Sequence, residues 1–432
     1  MKGHRDRIIE VRLDSLELFA SLYDEPGTHG LQARLPSLHS RGLVEILRKF
    51  AAYPKRLGDM EHQYSSTVMW DETNRVNDGT IRRETRFPAS AKEWILSGPH
   101  IYVGNPMVKT PRAICTEKGH YDLLDLTTLP ADYLPRTNYV PACDAATYLS
   151  RTPRVSWGSR KPVTDFYRFV ARKMLSQAGE RTLLGTVIPP RVAHIDGCTS
   201  ATFAKTESLI IFAGAAASLP YDFFLKTTGK ANMRDEVLRQ FPLLEQNNSL
   251  TTRFLILICL TSHYLDLWSE CWDDIIRQQL WTKLDLRLDS SRFSTLGPEW
   301  TWHTPLRTDY ERRQALVEID VLAARALGLT LDELCTIYRI QFPVFREYEG
   351  NTYYDRNGRI VFLAGDSAYG LRTPEWNLKK DMPSGTIQKV VQDDTLPGGP
   401  REKIIEYIAP FDRCDREQDY ATAWKCFDEA GL

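Results

Sequence analysis

The opening run IIEVRL (residues 8–13) alternates apolar and polar positions, a strand pattern, and a helical stretch follows near 43–52. SSTVMW and GTIRRETRF read as two strands of a hairpin around Asp78-Gly79, because both central positions of such a turn favour positive φ. Residues 96–160 are rich in Pro, Tyr, Asp and Thr and show little periodicity. GPHIYVG reads as a short strand there, and the rest as loop with brief strands. Phe166, Phe169, Val170, Met174 and Leu175 fall near one face at 3.6 spacing. A helix is therefore expected over DFYRFVARKMLSQAG, capped by Thr164 and stopped by Gly179. Three strand-like runs follow, RTLLGTVIP, VAHIDG and SLIIFAG; then come SLPYDFFLKTTGK and a short helix leading into FPLL. Residues 251–281 read as one long buried helix with Trp268 and Trp272 four apart.

The sharpest local signals lie at 304–341. Thr308 with Glu311, and Thr330 with Glu333, form capping boxes, and Gly328 between them is a helix stop. Two consecutive helices are expected, the first packing through Leu316, Ile319, Val321 and Leu322. YYDRNGRIVFLAG reads as a hairpin, with Asn357-Gly358 suited to a type I′ turn. TLPGGP is a loop, and a last helix covers about 416–429. The fold class expected is α+β.

Length and composition narrow the class. The 432 residues suit several units, here bounded at 1–95, 96–250, 251–345 and 346–432. Apolar residues are 42% and charged residues 26%, globular values that exclude a disordered, collagen-like or coiled-coil chain. The net charge of -1 excludes a uniformly basic nucleic-acid coat but leaves room for a local basic face. Only 17 of the 55 basic residues are Lys; the rest are Arg, which makes forked contacts to phosphate and guanine. The eight cysteines show no C-x-x-C pair, the start does not read as a signal peptide, and the longest apolar run, FLILICL, is too short to span a bilayer. A reduced cytoplasmic protein with no membrane partner is expected.

Catalytic motifs are sparse. Asn105-Pro106-Met107-Val108 supplies the Asn and one Pro of an adenine-methyltransferase motif, but lacks the second Pro and the aromatic that stacks on an extruded base. LIIFAGAAAS offers Gly214 as a cofactor turn, with one glycine where two are needed. No P-loop and no G-x-S-x-G elbow occurs. Cys115 with His120, and His194 with Cys198, lack a second metal-ligating pair. Asp122, Asp125 and Lys118 lack the strand-borne Asp/Glu-x-Lys pattern of a nuclease. The nucleic-acid signal is stronger. Between 109 and 173 basic residues, among them Lys109, Arg112, Lys118, Arg136, Arg151, Arg154, Arg160 and Lys161, alternate with aromatics such as Tyr121, Tyr139, Tyr148 and Trp157. Basic loop residues suit phosphates, and Asn or Arg side chains can read base edges.

Long phrases of the chain carry a resemblance. They are WILSGPHIYVGNPMVKTPRAICTEKGHYDLLDLTTLPADYLPRTNYVP, RKMLSQAGERTLLGTVIPPRVAHI, IFAGAAASLPYDFFLKTTGKANMRDEVLRQFPLL, WHTPLRTDYERRQALVEIDVLAARALGLTLDELCTIYRIQFPVFREYE and APFDRCDREQDYATAWKCFDEAG. Together they resemble the C-terminal, non-catalytic part of large adenine-specific DNA methyltransferases of restriction–modification and phage-defence systems, including type IIG enzymes and the BREX and DISARM methylases. The family's catalytic half, with its cofactor and Asn-Pro-Pro-aromatic motifs, lies upstream and is not found here. The resemblance implies a target-recognition domain at 96–250, a helical scaffold at 251–345 and a hairpin-and-helix tail. It also implies double-stranded DNA as ligand, and a catalytic methyltransferase subunit or missing N-terminal half as partner. That partner would bind S-adenosylmethionine; this chain would bind no cofactor. The residues expected at DNA are Lys109, Arg112, Arg136, Asn138, Arg151 and Arg154, with Lys226 and Lys230 in second rank. The helix pair at 308–340 would serve as scaffold or docking surface. Two alternatives are a diverged methyltransferase using Asn105 and the Gly214 turn, and an interaction subunit that does not touch DNA.

Overall fold

The structure, a computed structural model, describes residues 8–431 except 26, 118 and 364–368. Lys118, the start read for a signal peptide, and the last residues of the YYDRNGRIVFLAG hairpin thus lie outside the described residues. In chain order the first half holds α1 (Leu13–Tyr23), α2 (Gly42–Ala52), β1 (Tyr64–Thr67), α3 (Glu72–Asn77), β2 (Ile81–Arg86), β3 (Ile95–Leu96), β4 (Lys109–Pro111), β5 (Tyr121–Leu123), β6 (Thr137–Pro141), α4 (Ala145–Arg151), β7 (Arg168–Arg172), β8 (Gly185–Ile188), β9 (Ala193–His194) and β10 (Cys198–Phe203). The second half holds α5 (Thr206–Ala216), α6 (Leu219–Thr227), α7 (Asp235–Leu238), α8 (Asn248–Ile258), α9 (Leu265–Glu270), α10 (Asp309–Ala326), α11 (Leu331–Gln341), α12 (Pro343–Gly350), β11 (Thr352–Tyr354), β12 (Ile360–Leu363), α13 (Thr373–Lys379), β13 (Thr386–Asp393), β14 (Arg401–Ile408) and α14 (Arg416–Glu429). The fold is α+β: the four-stranded sheet β1-β10-β7-β8 is antiparallel throughout, and the other sheets are two-stranded.

One apolar core runs from Phe19 to Phe427 and crosses every segment border expected from composition. Helix α5 lies on the sheet through Phe212 against Phe169, with ring centroids 5.2 Å apart. It meets α8 at Gly214, where a Cβ would come 2.5 Å from Leu250 Cδ2. Chain-distant segments are tied by buried arginines. Arg416 on α14 donates to Asp320 on α10 (2.7 Å), Glu349 on α12 (2.9 Å) and the Tyr420 hydroxyl (2.7 Å). Arg313 joins Glu349 and Asp419 (2.6 Å each). Arg312 donates to the carbonyls of Leu257, Leu306 and Gly104, which binds the 104 loop to α10. A satellite core around Trp376, stacked on Phe362, carries the C-terminal hairpins.

Several expectations are met. α2, the 308–341 capping boxes and α14 form as read, and Gly328 stops α10 with φ +71. Others are corrected. Residues 8–12 are not a strand; Ile8 and Val11 are exposed, and no neighbouring strand offers them a ladder. Asp78-Gly79 does not close a hairpin: Gly79 (φ +69) ends α3, β1 pairs with β10, and β2 pairs with β6. GPHIYVG is a 3-10 turn over Gly98–His100. No helix forms from Asp165 to Gly179; its Arg168–Arg172 stretch is strand β7, a central strand buried on both faces. Its Phe-Val-Ala core satisfies both periods, and ladder partners on both sides decided between them.

The reverse happens at SLIIFAG, read as a strand but helical as α5. Buried all round, it shows neither period, and its small residues favour helix. Residues 251–281 break into α8, a short turn and α9, although Trp268 and Trp272 do touch, with ring centroids 5.6 Å apart. At Asn357-Gly358 only the glycine has positive φ (+77); Asp355 Oδ1 accepts the Asn357 and Arg359 amides, so the turn is not type I′. The long β13–β14 ribbon flanking TLPGGP was not anticipated. Among the described residues no single helix is long and apolar enough to cross a membrane.

Candidate nucleic-acid interface

Helix α4 starts at Asp144, whose side chain accepts the Ala146 and Thr147 amides at 3.0 Å. It ends at Arg151, whose guanidinium donates to the Asp78 carbonyl (3.0 Å) and the Thr80 hydroxyl (2.6 Å) at the foot of β2. Beyond Pro153 the chain folds back on itself. Arg154 and Pro162 form a bridge, the Val155 amide donates to the Lys161 carbonyl (3.0 Å), and the Val163 amide donates to the Pro153 carbonyl (2.9 Å). The tip needs two left-handed residues, Gly158 (φ +55) and Arg160 (φ +52). Arginine is strained in that region by about 1–2 kcal/mol. The Arg160 amide bonded to Trp157 O, and Arg154 Nη1 bonded to Arg160 O at 3.0 Å, hold it there.

Alternation gives this hairpin two unlike faces. Val155 and Val163 are buried in a small core with Trp70, Ile81 and Ile195, and Trp157 edges Phe166. Arg154, Ser156, Ser159, Arg160 and Lys161 face solvent. Arg191 joins them: its amide donates to the Thr164 carbonyl (2.6 Å), its φ is +73, and it is exposed. Among the described residues Arg154, Arg160, Lys161 and Arg191 have no carboxylate partner, unlike Arg112, Arg151 and Lys173 of the same basic stretch. Asp165, exposed in the next turn, is the nearest acid in sequence.

The eight residues expected at DNA are not brought together. Arg154 is on the hairpin and Arg151 leads into it. Lys109, half-buried, and Arg112, paired with Asp122 at 2.9 Å, sit on the separate β4–β5 hairpin. Arg136 is 6% exposed; it binds Asp394 through both its carbonyl and its carboxylate, and lies 4.2 Å over the Phe87 ring. Asn138 is also buried, accepting from Thr85 and donating to the Tyr121 hydroxyl (2.8 Å). Lys226 is buried against Phe342, and burial pulls its ammonium below the ordinary lysine value. Lys230 pairs with Glu236. Arg136, Asn138 and Lys226 are thus buried and held by internal partners. Arg160 and Lys161 were visible as basic residues, and the hairpin that presents them was not read from the sequence, although Gly158-Ser159 between Val155 and Val163 is a turn signal that could have located it. No sequence signal pointed to Arg191.

Of the two positions offered for a cofactor site, Asn105 accepts the Met107 amide through Oδ1 at 2.9 Å and is buried in a turn packed on Leu257. Gly214 lies inside a helix rather than at a strand-to-helix turn. Neither position is thus the open strand-to-helix turn expected for S-adenosylmethionine in that alternative. Among the described residues no group of His, Cys, Asp and Glu could hold a metal ion. No protein-family model and no curated protein sequence matches the chain.

Proposed function

We propose that the chain is the DNA-binding target-recognition part of an adenine-specific DNA methyltransferase of a restriction–modification or phage-defence system, acting in the cytoplasm. The methyl transfer and the S-adenosylmethionine site belong to a separate catalytic part. The observation that carries the reading is the 153–163 hairpin, with Arg154, Arg160 and Lys161, and Arg191 beside it, all solvent-facing and without carboxylate partners. Cations held this way are free to neutralise phosphates, and a strained arginine at a loop tip is a cost that binding would offset. The long phrases resembling the family's non-catalytic half support the same reading.

The test is fluorescence anisotropy of a mixed-sequence duplex at several salt concentrations. Four neutralised phosphates give a log–log salt slope of about -3.6, hence roughly a hundredfold loss of affinity between 50 and 200 mM salt. The triple variant R154A/R160A/K161A should lower the slope by up to about 2.7. No binding at low salt, or an unchanged slope in the triple variant, would overturn the reading.

A further inference from the structure

A second concave site lies away from the basic hairpin. Between the N-terminal ends of α5 and α8 and the C-terminal end of α9 is a cavity of about 300 Å³. Its walls combine the aliphatic Ile210, Leu255 and Ile276 with the polar Gln246, Asn248 and Thr252, with the Trp272 ring to one side. Its rim is acidic, with Glu207, Glu270 and Asp273, and no Lys or Arg lines it. None of the three carboxylates has a cationic partner among the described residues. Asp273 caps the turn after α9 by accepting the Ile275 amide (2.9 Å), and Glu207 sits favourably in the first turn of α5. Glu270 has no such compensation; it lies in the last turn of α9, at the negative end of that helix. Both glutamates act on the thiol between them: burial, then the Glu270 and Glu207 charges, push Cys271 up to about 12.

An independent observation comes from the cavity wall. Thr252 is 2% exposed and lines the cavity, and its hydroxyl makes no hydrogen bond among the described residues. Its neighbour Thr251, by contrast, bonds back to the Asn247 and Asn248 carbonyls. A hydroxyl that opens into the cavity without a protein partner is available to bond whatever occupies it, ligand or water. A cavity with aliphatic patches, a free hydroxyl in its wall and carboxylates at its mouth suits an alkylammonium group. An alkylammonium stem packs on Ile210 and Leu255 and its charged head meets the carboxylates, while the Trp272 ring already carries the Arg277 guanidinium 5.5 Å from its centroid. The volume is at the lower limit for small-molecule sites and suits a group of side-chain size. The sign of the rim repels phosphate.

We propose that this cavity binds an alkylammonium group, either a lysine side chain of a partner protein or a free polyamine. The proposal is independent of the DNA reading. The test is isothermal titration calorimetry of the full chain with two probes, Nα-acetyl-lysine methylamide and spermidine. E207Q/E270Q, both exposed positions, should weaken binding by about tenfold or more. T252V should weaken it too, without removing charge. Binding of the lysine amide in preference to spermidine supports a partner's side chain; the opposite preference supports a free polyamine. Absence of heat with both probes at millimolar concentration overturns the proposal, as does an affinity unchanged in E207Q/E270Q.

Discussion

Arg416→Met removes the centre of the network that binds α14 to α10 and α12. The guanidinium is fully buried and shares its donors among Asp320, Glu349 and Tyr420. After the substitution Asp320 keeps the Leu219 amide (2.7 Å) and the Tyr420 hydroxyl (2.5 Å), but no cation. Glu349 keeps Arg313. One buried carboxylate thus loses its counter-charge, which costs about 3–5 kcal/mol. That is a large fraction of the roughly 5–15 kcal/mol by which domains are stable. Arg339→Met is the control: its partner Glu417 is on the surface, Arg339 is 46% exposed, and the loss should be below about 1 kcal/mol. The assay is urea unfolding followed by tryptophan fluorescence. Adding Asp320→Asn to Arg416→Met should restore part of the loss, because the uncompensated charge is then gone. Equal small losses in Arg416→Met and Arg339→Met would refute the reasoning, and so would no recovery on adding Asp320→Asn.

Other outcomes follow from the same structure. Burial, then the Arg168 charge, pulls the His194 imidazole down to about 3, and its Nε2 lies 2.8 Å from Ser200 Oγ. A group depressed in the folded state contributes fully above its ordinary value of about 6.5 and loses that contribution as the pH falls toward the folded value. Burial alone would raise the Asp125 carboxyl, but Arg359 and Lys403 hold it at about 2, so it too contributes until strong acid. Thermal unfolding midpoints should therefore decline steadily below about pH 6.5; a flat profile from pH 7 to 4 would contradict this. Arg160→Gly should lower the DNA salt slope by about 0.9 and change stability by less than about 1 kcal/mol, since relief of left-handed strain is offset by the freedom glycine gains when unfolded. Gly214→Val should cost about 1–3 kcal/mol in urea unfolding, because Leu250 and Phe254 already occupy the space a side chain would need.

Where chemistry is local, the sequence was legible. Thr308 with Glu311, Thr330 with Glu333 and Gly328 specify their helix ends through side chains and φ values within a few residues, and all three form as read. The basic, aromatic-rich stretch was also visible, and Arg154 in it is one of the free cations. Arg136 and Asn138 were indistinguishable from it in sequence. Their fate depends on Asp394, which lies 258 residues away, and on Thr85 and Tyr121 across a sheet.

By itself the sequence determined composition class, helix caps, turn glycines and the presence of a basic segment, because each rests on interactions within one or two turns of chain. The tertiary structure decided the rest. Residues 168–172 became a strand only because β8 and β10 supply ladders on both sides, and 206–216 became a helix only because the sheet and α8 bury it all round. It also decided which arginines are ties and which are free. A guanidinium is drawn inward only where carboxylates or carbonyls from distant segments meet it, whereas Arg154 and Arg160 on the 153–163 hairpin stay at the surface with no carboxylate partner among the described residues.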